Sequence, residues 1–393
     1  MWTSCPYFRI CWCICPPPSG TEGLEGAARG PPPVALTIIT IIRGQMPLAS
    51  NDSRREVLGL TCRAIMANER SKPDTRSYLY SVFFCYLRYT RRLEDLFGSM
   101  ESHSRRGAGR MVPSLAEGAG GLDRILRRSG GRLLHVVAQD ALHSSGGGDA
   151  TRQGAKMPFM AFICLTSLLA ESPELWLHQL REKHTIASIV NQLQQDSYGS
   201  ALQTAVISRH MEGHAHILAF ESLMGFLHQV ASTEEGSLHL VAIDAVHAFT
   251  AAKFLQRPSW SSIEQDYSAR AFSSPIQRHL QLLCPILILL QALLISLPRN
   301  IPLRWNVLKF VRAHRESLTS VLHDHPKYFK SYEERKGNGL LAVTLVTGLF
   351  QQLYQSIQRL PAMARIGDPK RPEIIHEVMK DEPRLLSILA VSV

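Results

Sequence analysis

From Lys156 onward, apolar residues recur every three or four positions, and polar residues fill the gaps between them. That rhythm is the signature of helices with one buried face. It predicts helices near residues 157–171, 174–182, 185–196, 200–210, 214–231, 234–255, 275–297, 303–323, 339–359 and 372–391. Earlier in the chain, Tyr78–Phe97 presents Leu79, Val82, Phe83, Tyr86, Leu93 and Leu96 on one face, and Leu122–Leu142 follows as a second helix. Almost no segment alternates with the period of two that a half-buried strand requires, so the expected fold class is all-α.

The segment 214–231 shows how such helices are expected to pack. Phe220, Met224, Leu227 and Ala231 form one stripe, and Ala219, Leu223, Phe226 and Val230 form a second beside it. Glu221, Gly225, His228 and Ser232 are left for water. Two adjacent stripes are too wide for one partner helix, so this helix is expected to have neighbours on both sides. Each fully buried Leu or Phe stabilises such a contact by roughly 1.5–3 kcal/mol, which makes the apolar face decisive. Ser232-Thr233-Glu234-Glu235 has capping-box spacing and marks the next helix start. Such a short connector implies an antiparallel hairpin. The expected architecture is an α-solenoid of stacked antiparallel helices, HEAT- or armadillo-like, although no strict sequence repeat is visible.

Three stretches break the helix train. Flexible inserts are expected near residues 98–121 and 144–155, the second carrying Gly146, Gly147 and Gly148. Residues 1–70 are expected to be a disordered or non-native segment, leaving 71–393 as the solenoid. Pro16–Pro18, Pro31–Pro33 and the glycines between them are helix breakers. Met1–Gly20 lacks the basic start and clean apolar core of a signal peptide. Val34–Ile42 is apolar but too short to span a bilayer.

Leu280–Leu297 is uncharged and reaches the lower limit of a transmembrane helix. Gln281, Gln291 and Pro285 weaken that reading, and Arg278 and Arg299 flank it on both sides, so no charge asymmetry orients it. A buried solenoid helix is the preferred reading and a single-span membrane protein the alternative. Pro285 then reads as a kink or a first-turn residue.

Charge changes this picture little. The formal net charge is +10, and residues 88–132 hold ten arginines, no lysine and five acids. Nothing resembling a nucleic-acid-binding signature accompanies them, so the segment reads as a solvated loop and no direct nucleic-acid partner is expected. Of the eight cysteines, Cys5, Cys11, Cys13 and Cys15 crowd the start, while Cys62, Cys85, Cys164 and Cys284 are scattered. That distribution is no disulfide framework and points to a reducing compartment. Asn51-Asp52-Ser53 matches a glycosylation acceptor, which has meaning only in a secreted chain.

Candidate chemistry is thin. His210, His214 and His216 cluster around Met211-Glu212-Gly213, but the glutamate stands one place too late for metalloprotease geometry and Gly213 marks a helix break. His323-Asp324-His325 precedes Pro326, where a helix is expected to end. Gly337-Asn338-Gly339-Leu340-Leu341-Ala342 nearly fits a dinucleotide fingerprint but follows the charged run Glu333–Lys336 rather than a strand, so it reads as a helix start. Cys11-Trp12-Cys13-Ile14-Cys15 lacks zinc-ligand spacing. No catalytic, cofactor-binding or metal-ligating residue is assigned, no cofactor or small-molecule substrate is expected, and the reading is not an enzyme.

Several stretches resemble the large inner-ring nucleoporin family, the nucleoporin 205 and nucleoporin 192 class. Leu218-Ala219-Phe220-Glu221-Ser222-Leu223-Met224-Gly225-Phe226-Leu227 is similar to a family helix with an aromatic-Glu-Ser core before an apolar run. Arg76-Ser77-Tyr78-Leu79-Tyr80 with Tyr86-Leu87 resembles an earlier helix. Arg278-His279-Leu280-Gln281-Leu282-Leu283-Cys284-Pro285 resembles a later one, followed in family order by Val307-Leu308-Lys309-Phe310 with His314 and by Leu345-Val346-Thr347-Gly348. The likeness runs over roughly residues 75–360 and lies in helix order and spacing rather than in one motif.

The resemblance implies a carboxy-proximal piece of a longer solenoid that acts as a structural scaffold and adaptor of the nuclear pore inner ring. It implies localisation to the nucleus, at pore complexes of the nuclear envelope, and a role in protein and mRNA transport through pore assembly. The partners it implies are other inner-ring nucleoporins, notably nucleoporin 93-like and nucleoporin 35-like linkers, with membrane association only indirect. Partner-contact residues are not identified by it. A generic helical-repeat adaptor or transport receptor is the alternative from residue pattern alone.

Overall fold

A computed structural model of the chain describes residues 51–69, 75–88, 131–142, 152–207, 211–256, 275–323 and 340–363. Every element in them is helical, and no strand occurs among the described residues. In chain order the helices are α1 (Asn51–Ala67), α2 (75–88), α3 (131–142), α4 (Arg152–Glu171), α5 (Pro173–Glu182), α6 (Thr185–Leu193) and α7 (Asp196–Ile207). They continue as α8 (Met211–Ala231), α9 (Glu234–Ala242), α10 (Ala245–Thr250), a 3-10 turn (Lys253–Leu255), α11 (Pro275–Ser296), α12 (Ile301–Ala313), α13 (Arg315–His323) and α14 (Leu340–Met363).

The double stripe of α8 buries as its spacing dictates. Ile217, Phe220, Leu223, Met224, Phe226, Leu227, Val230 and Ala231 are all buried. One side packs on α4, where the Phe162 and Phe226 rings lie 6.1 Å apart, and another packs on α11. The Phe220 ring meets Phe254 of the 3-10 turn edge-on at 5.5 Å. α11 in turn packs on α14, so α2, α4, α8, α11 and α14 form an inner row.

α3, α6, α10 and α12 form an outer row beside it. Contacts fix helix direction within the rows. Arg76 meets Met157 and Tyr80 meets Cys164, so α2 and α4 run parallel. Asp244 meets Asn306 and Phe249 meets His314, so α10 and α12 run parallel as well. Helices that follow one another in space along a row thus share a direction, as stacked hairpins require. The all-α solenoid reading holds.

Beyond shifts of a few residues at helix ends, the structure departs from the sequence expectation in four places. Asn51–Ala67 is helical although it lies within the 1–70 segment expected to be disordered or non-native, and Leu58, Cys62 and Ile65 of it are buried. The proline breakers stop before it, and its apolar spacings of four and three drive it onto the core. Residues 1–50 lie outside the described residues. The insert near 144–155 gives way earlier than expected, because α4 begins at Arg152 and carries Pro158 within its length.

Residues 234–255 form two helices and a 3-10 turn rather than one helix. The chain turns at Asp244, whose φ of 55° is left-handed. Aspartate tolerates that conformation better than most residues, so no glycine or proline announces the break. Residues 303–323 likewise split at His314, which is 4% exposed, with Nε2 hydrogen-bonded at 3.0 Å to the Phe249 carbonyl. Seating that ring between α10 and α12 takes the place of helix continuity. The helix expected at 372–391 lies outside the described residues.

Leu280–Leu297 proves to be largely buried within the stack. Gln277–Ser296 is the one described helix long and apolar enough to cross a membrane, and two thirds of that window is buried within the protein. Pro285 sits in the interior of α11, where the helix accommodates the missing N–H.

Candidate functional site

The contacts that set the shape of the stack and the apolar side chains it leaves open are both visible at named residues. The amino-terminal joint is polar. Arg76 Nε of α2 lies 2.9 Å from Asp140 Oδ2 of α3, and the Tyr80 hydroxyl donates to the same oxygen at 2.5 Å. Burial, with Asp140 next in effect, pushes the Tyr80 phenol far above its usual range. Arg76 also reaches Met157 Sδ of α4 at 3.3 Å, and the Cys164 thiol of α4 donates to the Tyr80 carbonyl at 3.5 Å. One buried cation therefore ties three helices. Such a pair is costly to break, because either partner alone is an uncompensated buried charge.

The central joint lies between α8 and α11. The Ala231 carbonyl, at the end of α8, accepts from Ser237 Oγ of α9 at 2.9 Å and from Ser296 Oγ of α11 at 3.1 Å. Three helices converge on one carbonyl that the helix itself leaves unbonded. Thr233 caps α9 by accepting from the Gly236 N–H at 3.1 Å. Thr233 thus takes the cap position that the capping-box spacing gave to Ser232, and Glu235 instead pairs with Arg181 of α5. A Cβ on Gly236 would stand 2.0 Å from the Val230 carbonyl oxygen, so the turn from α8 into α9 has room only for glycine.

Glu221 departs from its sequence reading. Expected to face water, it is 7% exposed, and burial raises its carboxyl pKa to about 8. The reason is that α8 has no exposed residue from His214 to Ala231, since α4, α7, α9 and α11 enclose it. Across the α8–α11 joint, burial and then Glu221 push the Cys284 thiol to about 12. Burial also holds Cys62 at about 12 and Cys164 well above its usual value. These thiols are small core hydrophobes, without the thiolate character that reactivity needs.

The histidine cluster is only partly described. His214 and His216 are half-buried on α8, and burial, followed by Arg278, lowers the His214 pKa. Arg278 is itself buried and donates to the Ala205 carbonyl of α7 at 3.2 Å. His210, Asp324, His325, Gly337–Gly339 and Cys11–Cys15 lie outside the described residues, as does most of the arginine-rich segment. Among the described residues, no group of three or more His, Cys, Asp or Glu side chains is arranged to hold a metal ion.

What sequence reasoning missed is the open rim. Ile295 is 67% exposed at the end of α11 and Leu238 is 48% exposed on α9. Each is the chain neighbour of a serine bound to the Ala231 carbonyl. Their signal was present only as apolar residues out of phase with the buried stripes.

Comparison with known proteins agrees with this architecture. A family model described as the nuclear pore complex scaffold, nucleoporins 186/192/205, matches residues 43–354. That match begins upstream of the roughly 75–360 range of the resemblance and takes in α1. No curated protein matches the chain. With the family model covering most of its length and a stacked all-α fold beneath it, the chain belongs to the nuclear pore complex scaffold family of nucleoporins 186, 192 and 205.

Proposed function

We propose that this chain works as a structural segment of the nuclear pore inner ring at the nuclear envelope, docking short helical motifs of linker nucleoporins of the nucleoporin 93 and nucleoporin 35 type. The observation that carries the reading is the family match over residues 43–354, which spans the two helix rows from α1 through most of α14. Work of this kind calls for no cofactor and no catalytic group. An amphipathic helix laid against apolar side chains at a repeat edge is the physical mode of such docking. Leu238 and Ile295 are exposed apolar side chains that such a motif would cover.

The test is affinity capture of the tagged full chain from cells, with identification of what it retains and imaging of where it resides. Recovery of inner-ring nucleoporins and a punctate nuclear rim are expected, and the paired substitution L238E/I295E should reduce the recovery. A diffuse cytoplasmic signal with no nucleoporin retained would reject the reading.

A further inference from the structure

Glu221, Gly225 and His228 follow one another along one edge of α8, at spacings of four and three. Gly225 and His228 are half-buried, so solvent reaches this edge, whereas Glu221 is buried. Side chains of a helix lean back over the preceding turn, so the missing side chain at 225 uncovers the turn that holds Glu221. A Cβ on Gly225 would meet nothing within 4 Å, in contrast to the crowded Gly236. The edge therefore has an open notch, one side chain wide, beside a buried carboxyl. Cys284 of α11 is the electrostatic neighbour of Glu221, and Ser296 bonds the Ala231 carbonyl further along, so α8 and α11 run parallel. That places the half-buried Ile288 level with Gly225.

Among the described residues, no hydrogen bond or ion pair reaches the Glu221 carboxyl. Its neighbours supply no counter-charge. On α8 itself, burial lowers the pKa of His214 and of His228, which keeps both neutral. On α4 between Met157 and Glu171 the titratable groups are Cys164 and Glu171, and on α7 they are Asp196 and Tyr198. α9 brings Glu234, Glu235 and His239, and α11 brings Arg278, His279 and Cys284. Arg278 is the permanent cation among these groups; it is buried six residues before Cys284 and donates to the Ala205 carbonyl.

We propose that the notch between Glu221 and Gly225 receives a single arginine or lysine side chain projected by a partner protein. The unpaired acid selects the occupant. As the cation enters, the carboxyl gives up its proton to solvent and an ion pair forms in its place. The alkyl stem of the incoming side chain lies over Gly225 and against Ile288, which suits a long chain with a charged tip. An apolar side chain would fill the same space and leave the acid unpaired. A metal ion is disfavoured, because no group of three or more His, Cys, Asp or Glu side chains among the described residues could hold one. The inference goes beyond the docking of nucleoporin motifs, and its test needs no nucleoporin, so either can fail alone.

The experiment uses the full chain and an acetylated, fluorescent helical peptide of alanine and leucine with one central arginine. Its control carries citrulline, the uncharged isostere, and both are read by anisotropy. The arginine peptide should bind about tenfold tighter near neutral pH. On E221Q the two peptides should bind alike, and Gly225→Leu, which fills the notch and keeps the carboxyl, should reduce the arginine peptide to the citrulline level. Pairing releases a proton below about pH 8, so the arginine preference should grow as pH rises to that point, by at most about tenfold per unit, and level off above it. The near-isosteric E221Q carries the test if Gly225→Leu disturbs folding by circular dichroism. Equal affinity for the two peptides, binding of neither, or a preference that survives in E221Q would overturn the proposal.

Discussion

α8 and α12 are both amphipathic by sequence, yet they end in opposite situations. α8 has no exposed residue from His214 to Ala231, and even Glu221 is buried, whereas α12 keeps Pro302, Lys309, Arg312 and Ala313 in water. The difference comes from position in the stack rather than from composition. An inner-row helix receives neighbours from its own row on two sides and from short connecting helices on the others. The outer-row helix α12 packs on α10, α11, α13 and α14 and still leaves a polar face for solvent. Burial is therefore most complete where a helix has neighbours all round, and polar faces persist where it does not.

That division can be broken by experiment, beginning where the effect is largest. Phe226→Ala removes a fully buried ring between α8 and α4 and should cost about 3–5 kcal/mol in chemical unfolding. A loss below 1 kcal/mol would show that the inner row is not the stabilising one.

Glu221→Gln tests the same enclosure through pH. The native carboxyl keeps its proton up to about pH 8, while the unfolded chain releases it near 4.5, so the folded state binds more protons in between. Stability of the parent should therefore decline as pH rises across that window, by at most about 1.4 kcal/mol per pH unit. The glutamine variant should lack this decline, and parallel thermal melts from pH 5 to pH 8 that stay superimposable would contradict the burial.

Gly236→Ala probes the turn from the inner row into α9. The added methyl meets a backbone oxygen, which cannot swing away, so a loss of about 1–3 kcal/mol is expected in the same unfolding assay. The smallest effect is reserved for the outer row. Asn300 caps α12 through the Leu303 N–H at 2.9 Å, and Asn300→Ala should cost about 1 kcal/mol. A larger loss there than at Phe226 would invert the comparison.

The helix train and its stacking were legible because periodicity reports burial directly. The stripes through Phe220 and Leu223 follow from spacing, and the buried reading of Leu280–Leu297 from its interrupting Gln281, Gln291 and Pro285 and its basic flanks. Breaks at Asp244 and His314 were not legible, since neither carries a glycine or proline and each depends on contacts with a distant helix. Glu221 was misplaced for a related reason: a polar residue between two apolar stripes looks exposed until a third neighbour covers it. The Ala231 carbonyl, on which α9 and α11 converge, has no side-chain signature at all.

His184 and Asp244, the two non-glycine residues with positive φ among the described residues, lie sixty positions apart, and each stands at the start of a short outer-row helix. Each follows a long inner helix and a short connecting one, α4 and α5 in the first case and α8 and α9 in the second. The same backbone turn thus opens two successive outer-row helices at the same place in the stack, so the step from connecting helix to outer helix is set by backbone conformation rather than by a shared side chain.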